Sequence, residues 1–117
     1  MDQQLINDIK QSYFDYISKV TNGCKDIAFK IRSSNTAEAI LYIEQFAEGL
    51  QWLLDVEKKF TEIGYTVKSR IHEASIYFND INEALENKDY VMLADIFEYE
   101  LPNVFDSASE WVIESKE

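Results

Sequence analysis

From Leu5 to Ile31 an apolar side chain returns at every third or fourth position: Leu5, Ile9, Tyr13, Ile17, Val20, Cys24, Ile27 and Ile31. A helix turns about 100° per residue, so this spacing sets all eight on one face; a strand would need them at every second position. The stripe keeps its phase through Thr21, Asn22 and Gly23. A glycine inside a helix costs ~1 kcal/mol relative to alanine. A first helix is therefore expected over about 2–33, bent or broken at Gly23.

The pattern recurs down the chain. Asn35 and Glu38 have capping-box spacing, in which each side chain serves a free backbone N–H. They predict a second helix running to about Ile63, with Ile40, Ile43, Phe46, Ala47, Leu50, Leu53 and Leu54 facing inward. Gly64 suits the left-handed position just past a helix end. Thr66 is expected to cap a third helix, where Val67, Ile71, Ala74, Phe78, Ile81 and Leu85 alternate by four and three. Asp89 is expected to cap a fourth, with Leu93, Phe97, Leu101, Val104, Ala108, Trp111 and Val112 inside. Pro102 has no N–H for the Glu98 carbonyl and its ring crowds that carbonyl, so a bend or break is expected around 98–101. No segment alternates long enough to read as a strand. The expected fold is all-α: an antiparallel up-down four-helix bundle in a single domain over 1–117, the first helix beside the second and fourth.

Apolar residues make up 46% of the chain, enough to build one core. The longest apolar run, Ala39 to Ile43, is far short of the roughly 20 residues that span a bilayer. The first ten residues lack the basic and apolar stretches of a secretory leader, and a lone Cys24 forms no internal disulfide, so a cytoplasmic location is expected. The net charge of −11 argues against nucleic acid and against anionic membranes as partners. Charge is uneven: residues 1–35 hold five basic and four acidic side chains, residues 89–117 one and eight. Such a distribution fits a partner with a basic surface, or simply a well-solvated face.

Few constellations promise chemistry. The di-iron pattern of helical bundles needs Glu-x-x-His on two helices, and the chain has one histidine, His72, and no such motif. Glu83 with Glu86, and Asp95 with Glu98, are carboxylate pairs three apart, each able to share a helix face and contribute to a magnesium site. They faintly resemble the paired acidic motifs of all-α nucleotide pyrophosphohydrolases. The gap between the pairs is short for that family, the second pair has its acids in reversed order, and no lysine or arginine follows nearby. Cys24 lies on the apolar stripe, where burial makes a thiol inert. No cofactor is expected.

Several large apolar residues point away from these stripes: Phe29 on the first helix, Leu41 and Trp52 with Val56 and Ile63 on the second, and Ile76 on the third. One exposed apolar residue carries no message, whereas several together, with a tryptophan, fit an interface. In the fourth helix Asp95, Tyr99, Asp106 and Glu110 share the outward side, flanked by Glu98 and Glu100, and no basic residue lies between Lys88 and Lys116. Tyr99 among these acids must be solvated, or matched by cations from the first helix or another chain.

The segment DYVMLADIFEYELPNVFDSASEW, through Asp95, Glu98, Tyr99, Glu100, Pro102 and Trp111, resembles a C-terminal pattern of small uncharacterised helical proteins of Gram-positive bacteria. The resemblance covers about the last quarter of the chain and implies no established activity. It implies at most an association with flagellar or surface-glycosylation gene sets. The features together favour a non-enzymatic, homodimeric protein-interaction module, chaperone- or adaptor-like. It would bind through Phe29, Leu41, Trp52, Val56 and Ile76, with the acidic face orienting the partner. The alternatives are a magnesium-dependent nucleotide hydrolase using Glu83, Glu86, Asp95 and Glu98, and a small acidic immunity or antitoxin protein.

Overall fold

The computed structural model describes residues 2–116. The chain is mostly helical, as the periodicity requires. Helix α1 spans Gln3–Arg32 and α2 spans Thr36–Glu62. Strand β1 (Tyr65–Lys68) leads to α3 (Ile71–Glu86). Helix α4 (Tyr90–Asp95), a π-helical turn (Ile96–Glu100) and α5 (Leu101–Phe105) follow without interruption, then a 3₁₀ turn (Ala108–Glu110) and β2 (Val112–Ser115). At 1.5 Å per residue α1 is about 45 Å long, nearly the whole 49 Å length of the molecule. It packs against α2 on one side and against α4, the π turn and α5 on another, while α3 lies against α2, α4 and α5.

Helix α1 is not broken at Gly23. Val20, Cys24 and Ile27 are all buried, and burying that turn outweighs the ~1 kcal/mol cost of the glycine. One part of the predicted stripe is displaced: Ile6 is buried and Leu5 is 48% exposed. Both are apolar and adjacent, so spacing alone could not choose between them.

Two helix ends close by the same device. Ser34 (φ 66°) and Lys88 (φ 55°) take the left-handed conformation usually left to glycine. After α1, Ser34 N–H donates to the Ile31 carbonyl and Asn35 N–H to that of Lys30. After α3, Lys88 donates to Leu85 and Asp89 to Ala84. Asp89 then begins α4, its Oδ1 accepting from Met92 N–H at 3.1 Å, as expected. Gly64, at φ 94°, ends α2, also as expected. The capping box does not form: Asn35 makes no side-chain cap, and Glu38 pairs instead with Lys30 at 3.1 Å.

The all-helical expectation needs one correction. Tyr65–Lys68 and Val112–Ser115 pair antiparallel, with Val67 opposite Ile113. Thr66 therefore sits in a strand and does not cap α3, and Trp111 and Val112 lie beyond the last helix. β-Branched and aromatic residues favour extended backbone. Each strand is only four residues long, and Val67 lies four before Ile71, so the short run looks like a continuation of helical phase. Ile113 is buried, and the Tyr65 ring meets Phe60 edge-on at 5.1 Å between centroids.

Pro102 is accommodated by the wide turn ahead of it. Leu101 N–H donates to Ile96, five residues back, so the ladder is already in π spacing where the proline would remove a bond. The extra residue in that turn keeps Ile96, Phe97, Leu101, Val104 and Phe105 all buried.

A part-buried polar junction borders the core. The Tyr13 hydroxyl donates to Glu57 Oε2, which also accepts from Ser69 Oγ at 2.6 Å, tying α1, α2 and the β1–α3 link together. Burial, and then the bond to Glu57, push the Tyr13 hydroxyl well above its ordinary pKa.

Candidate interaction surface

The α1–α2 flank carries two grooves. The first, about 410 Å³, is lined by Tyr16, Gly23, Phe29, Lys30, Tyr42 and Phe46 among others. The second, about 320 Å³, lies between Ile9 of α1 and Trp52, Asp55, Val56, Lys59, Phe60 and Ile63 of α2. Lys30 stands over the Tyr42 ring at 5.0 Å from its centre, holding the rim of the first groove by a cation–π contact.

Trp52 lines the second groove and touches Tyr16, which lines the first. Its ring stands edge-on to Tyr16 at 6.2 Å between centroids. Tyr16 reaches that position because α2 has glycine at 49: a Cβ there would overlap the Tyr16 hydroxyl. Desolvation raises the Tyr16 pKa. A tryptophan held by a half-buried tyrosine loses little freedom on binding, which favours it as an anchor.

The predicted outward residues separate into groups. Phe29 (71% exposed), Leu41, Trp52 and Ile63 are exposed on this flank or beside it. Val56 is a correction: it is buried, because it lies 40° around α2 from Trp52 toward α1, and it floors the second groove. Ile76, 67% exposed, is on α3 and lines neither groove; nor does Leu41. Tyr16, Gly49 and Tyr42 were missed. The interior glycine was the one signal available for the first two.

The acidic helix is less unpaired than its sequence suggests. Arg32 Nη2 at the end of α1 lies 2.7 Å from Asp95 Oδ1 and 3.2 Å from Glu98 Oε2, so α1 supplies the missing counter-charge. The Tyr99 hydroxyl first, and Arg32 as well, hold the Glu98 carboxyl below its usual range. Tyr99 itself is largely exposed. Glu100 accepts from the Tyr77 hydroxyl at 3.0 Å. Arg70 makes a two-pronged pair with Glu73 and also donates to the Asn103 carbonyl, which ties α3 to α5. Asp106 is exposed, and Glu110 sits in the 3₁₀ turn, off the helix that carries Asp95. The expected single acidic face is thus divided. Asp95 and Glu100 instead join Asp80 and Asp89 around a cleft between α3 and α4, floored by Met92 and Ile96.

No three acidic, histidine or cysteine side chains cluster as metal ligands among the described residues. Glu83, Glu86, Asp95 and Glu98 are thus not brought together as a four-carboxylate set. Cys24 is buried, and burial pushes its thiol up to about 12. No helix among the described residues is long and apolar enough to cross a membrane.

A family model described as a domain of unknown function, DUF8042, matches residues 8–110. The chain belongs to this family. The match takes in both grooves, the Tyr16–Gly49–Trp52 contact and the acidic helix of this DUF8042 domain, and stops before β2. No curated protein and no solved structure matches the chain.

Proposed function

We propose that this DUF8042 domain is a non-enzymatic protein-interaction module, adaptor- or chaperone-like, acting in the cytoplasm. Its helices would follow the up-down antiparallel order of a four-helix bundle, with the strand pair as an addition. The observation that carries this reading is the α1–α2 flank, where Tyr16 of one groove stands edge-on to Trp52 of the other. Phe29 and Tyr42 at the first groove suit a protein segment presenting apolar side chains at helical spacing. The acidic α4–α5 region speeds encounter with a basic partner surface and orients it, and needs no role in the final affinity. Nucleic acid and anionic membrane are poor partners at this charge. The C-terminal resemblance makes flagellar and surface-glycosylation proteins of Gram-positive bacteria the first partners to try. The acidic α3–α4 cleft favours a second reading, in which the domain blocks a basic protein as an immunity or antitoxin protein would.

The test is capture from the native host with the wild-type chain and with Phe29→Glu. Phe29 is exposed, so the substitution leaves the core alone. A protein held by the wild type and reduced about tenfold by Phe29→Glu is expected, as for an interface anchor. Retention by both chains alike refutes the placement of the site.

A further inference from the structure

We infer that the second groove is covered by a second copy of this chain, with two α2 helices crossing antiparallel about a two-fold axis level with position 57. This rests on the reading of the α1–α2 flank as an interaction surface, and it names the occupant of one part.

At 100° per residue Trp52, Val56, Lys59 and Ile63 fall within one side of α2, with Asp55 at its edge. Asp55 and Lys59 stand two residues either side of position 57, and Trp52 and Ile63 five and six residues from it. Rotation by half a turn at that level therefore sets Asp55 opposite Lys59 of the other copy, and Lys59 opposite Asp55. The same rotation sets Trp52 opposite Ile63 at both ends. A two-fold interface must be complementary to itself, and this stretch is, in charge and in apolar content. Among the described residues Lys59 has only a 4.0 Å approach to Glu62, and Asp55 accepts only from Gln51, so both are available across the axis.

Charge over the whole molecule points the same way. Residues 1–64 hold seven basic and ten acidic side chains, which is −3 of the net −11. Two copies thus meet with least repulsion on the α1–α2 side. The whole molecule measures 49 by 21 by 21 Å, so one long side offers about 1,000 Å² in outline, where a stable interface uses roughly 800 Å² per partner. The arrangement also accounts for Leu5. It is half-exposed, one turn from Ile9 on the same side of α1, at the end of the groove where Ile63 lies.

Sedimentation of the full chain and four variants tests this. The wild type should be dimeric. Trp52→Glu should be monomeric while keeping its helical circular dichroism. Asp55→Lys and Lys59→Asp each set like charges across the axis and should weaken the dimer about tenfold. The double exchange Asp55→Lys/Lys59→Asp restores opposite charges and should return to within about threefold of wild type. A wild-type chain that stays monomeric at about 200 µM overturns the inference. So does a dimer unmoved by Trp52→Glu, or a double exchange no better than the singles. A monomer that still loses its host partner through Phe29→Glu refutes the second copy alone. A monomer whose capture is also indifferent to Phe29→Glu refutes the interaction surface itself.

Discussion

Gly23 and Gly49 both lie inside long helices, yet replacing each with alanine should move stability in opposite directions. Alanine is favoured over glycine in a helix interior by ~1 kcal/mol. At Gly23 a new Cβ meets nothing within 4 Å, so Gly23→Ala should stabilise by about that amount. At Gly49 the Cβ overlaps the Tyr16 hydroxyl and ring end. Tyr16 is stiff and half-buried, so it must swing out. That loses the edge-on contact with Trp52, ~1 kcal/mol, and about half the burial of a large side chain, ~1 kcal/mol. Against the helix gain of ~1 kcal/mol the net is about 1 kcal/mol of destabilisation. The two variants should thus differ by ~2 kcal/mol, or roughly 8 °C in Tm for a domain of this size. Thermal and urea unfolding followed by circular dichroism measure it. In a Tyr16→Ala background the obstruction is gone, and Gly49→Ala should then stabilise as Gly23→Ala does. If Gly49→Ala raises the Tm as much as Gly23→Ala in the wild-type chain, the Tyr16 seat described here is wrong.

Two further outcomes follow from buried titratable groups. The Tyr13 hydroxyl keeps its proton in the folded chain above pH 10, where an unfolded tyrosine loses it, so the folded state then binds more protons. Stability from this group is complete below pH 10 and falls above it by about 1.4 kcal/mol per pH unit. Tyr13→Phe should lower stability at pH 7 by ~1 kcal/mol and remove that part of the alkaline slope, as read from urea midpoints between pH 8 and 11. Cys24, with its thiol raised to about 12, exposes about one part in 10⁴ as thiolate at pH 8. Labelling by a soluble aromatic disulfide should therefore be on the order of a thousandfold slower in the folded chain than in urea, and equal rates would place Cys24 outside the core.

The sequence was most legible where one period ran long. The phase of Tyr13 through Ile31 placed six core residues, and the same reasoning singled out Phe29, Trp52 and Ile76 as exposed. Leu5 and Ile6 show the limit of that method, since neighbouring apolar residues 100° apart satisfy the same stripe. The strands were hidden because four residues are too few to show a period of two. The turns at Ser34 and Lys88 were hidden because they use the left-handed conformation without glycine. Arg32 meeting Asp95 and Glu98, and Tyr16 meeting Gly49, depend on how helices slide past one another, which no single helix encodes. A glycine kept in the middle of α2 was nevertheless a hint that something had to approach its backbone closely.

The pairing of β1 with β2 has a consequence for synthesis. It joins residues 65–68 to residues 112–115, so everything between them forms a loop clasped at its base. During translation α1 and α2 leave the ribosome ahead of α3 to α5, with the inner sides of both helices wet until those arrive. The clasp cannot shut until residues 112–115 emerge. Until then the nascent chain presents a long hydrophobic trough, the kind of surface that holding chaperones cover.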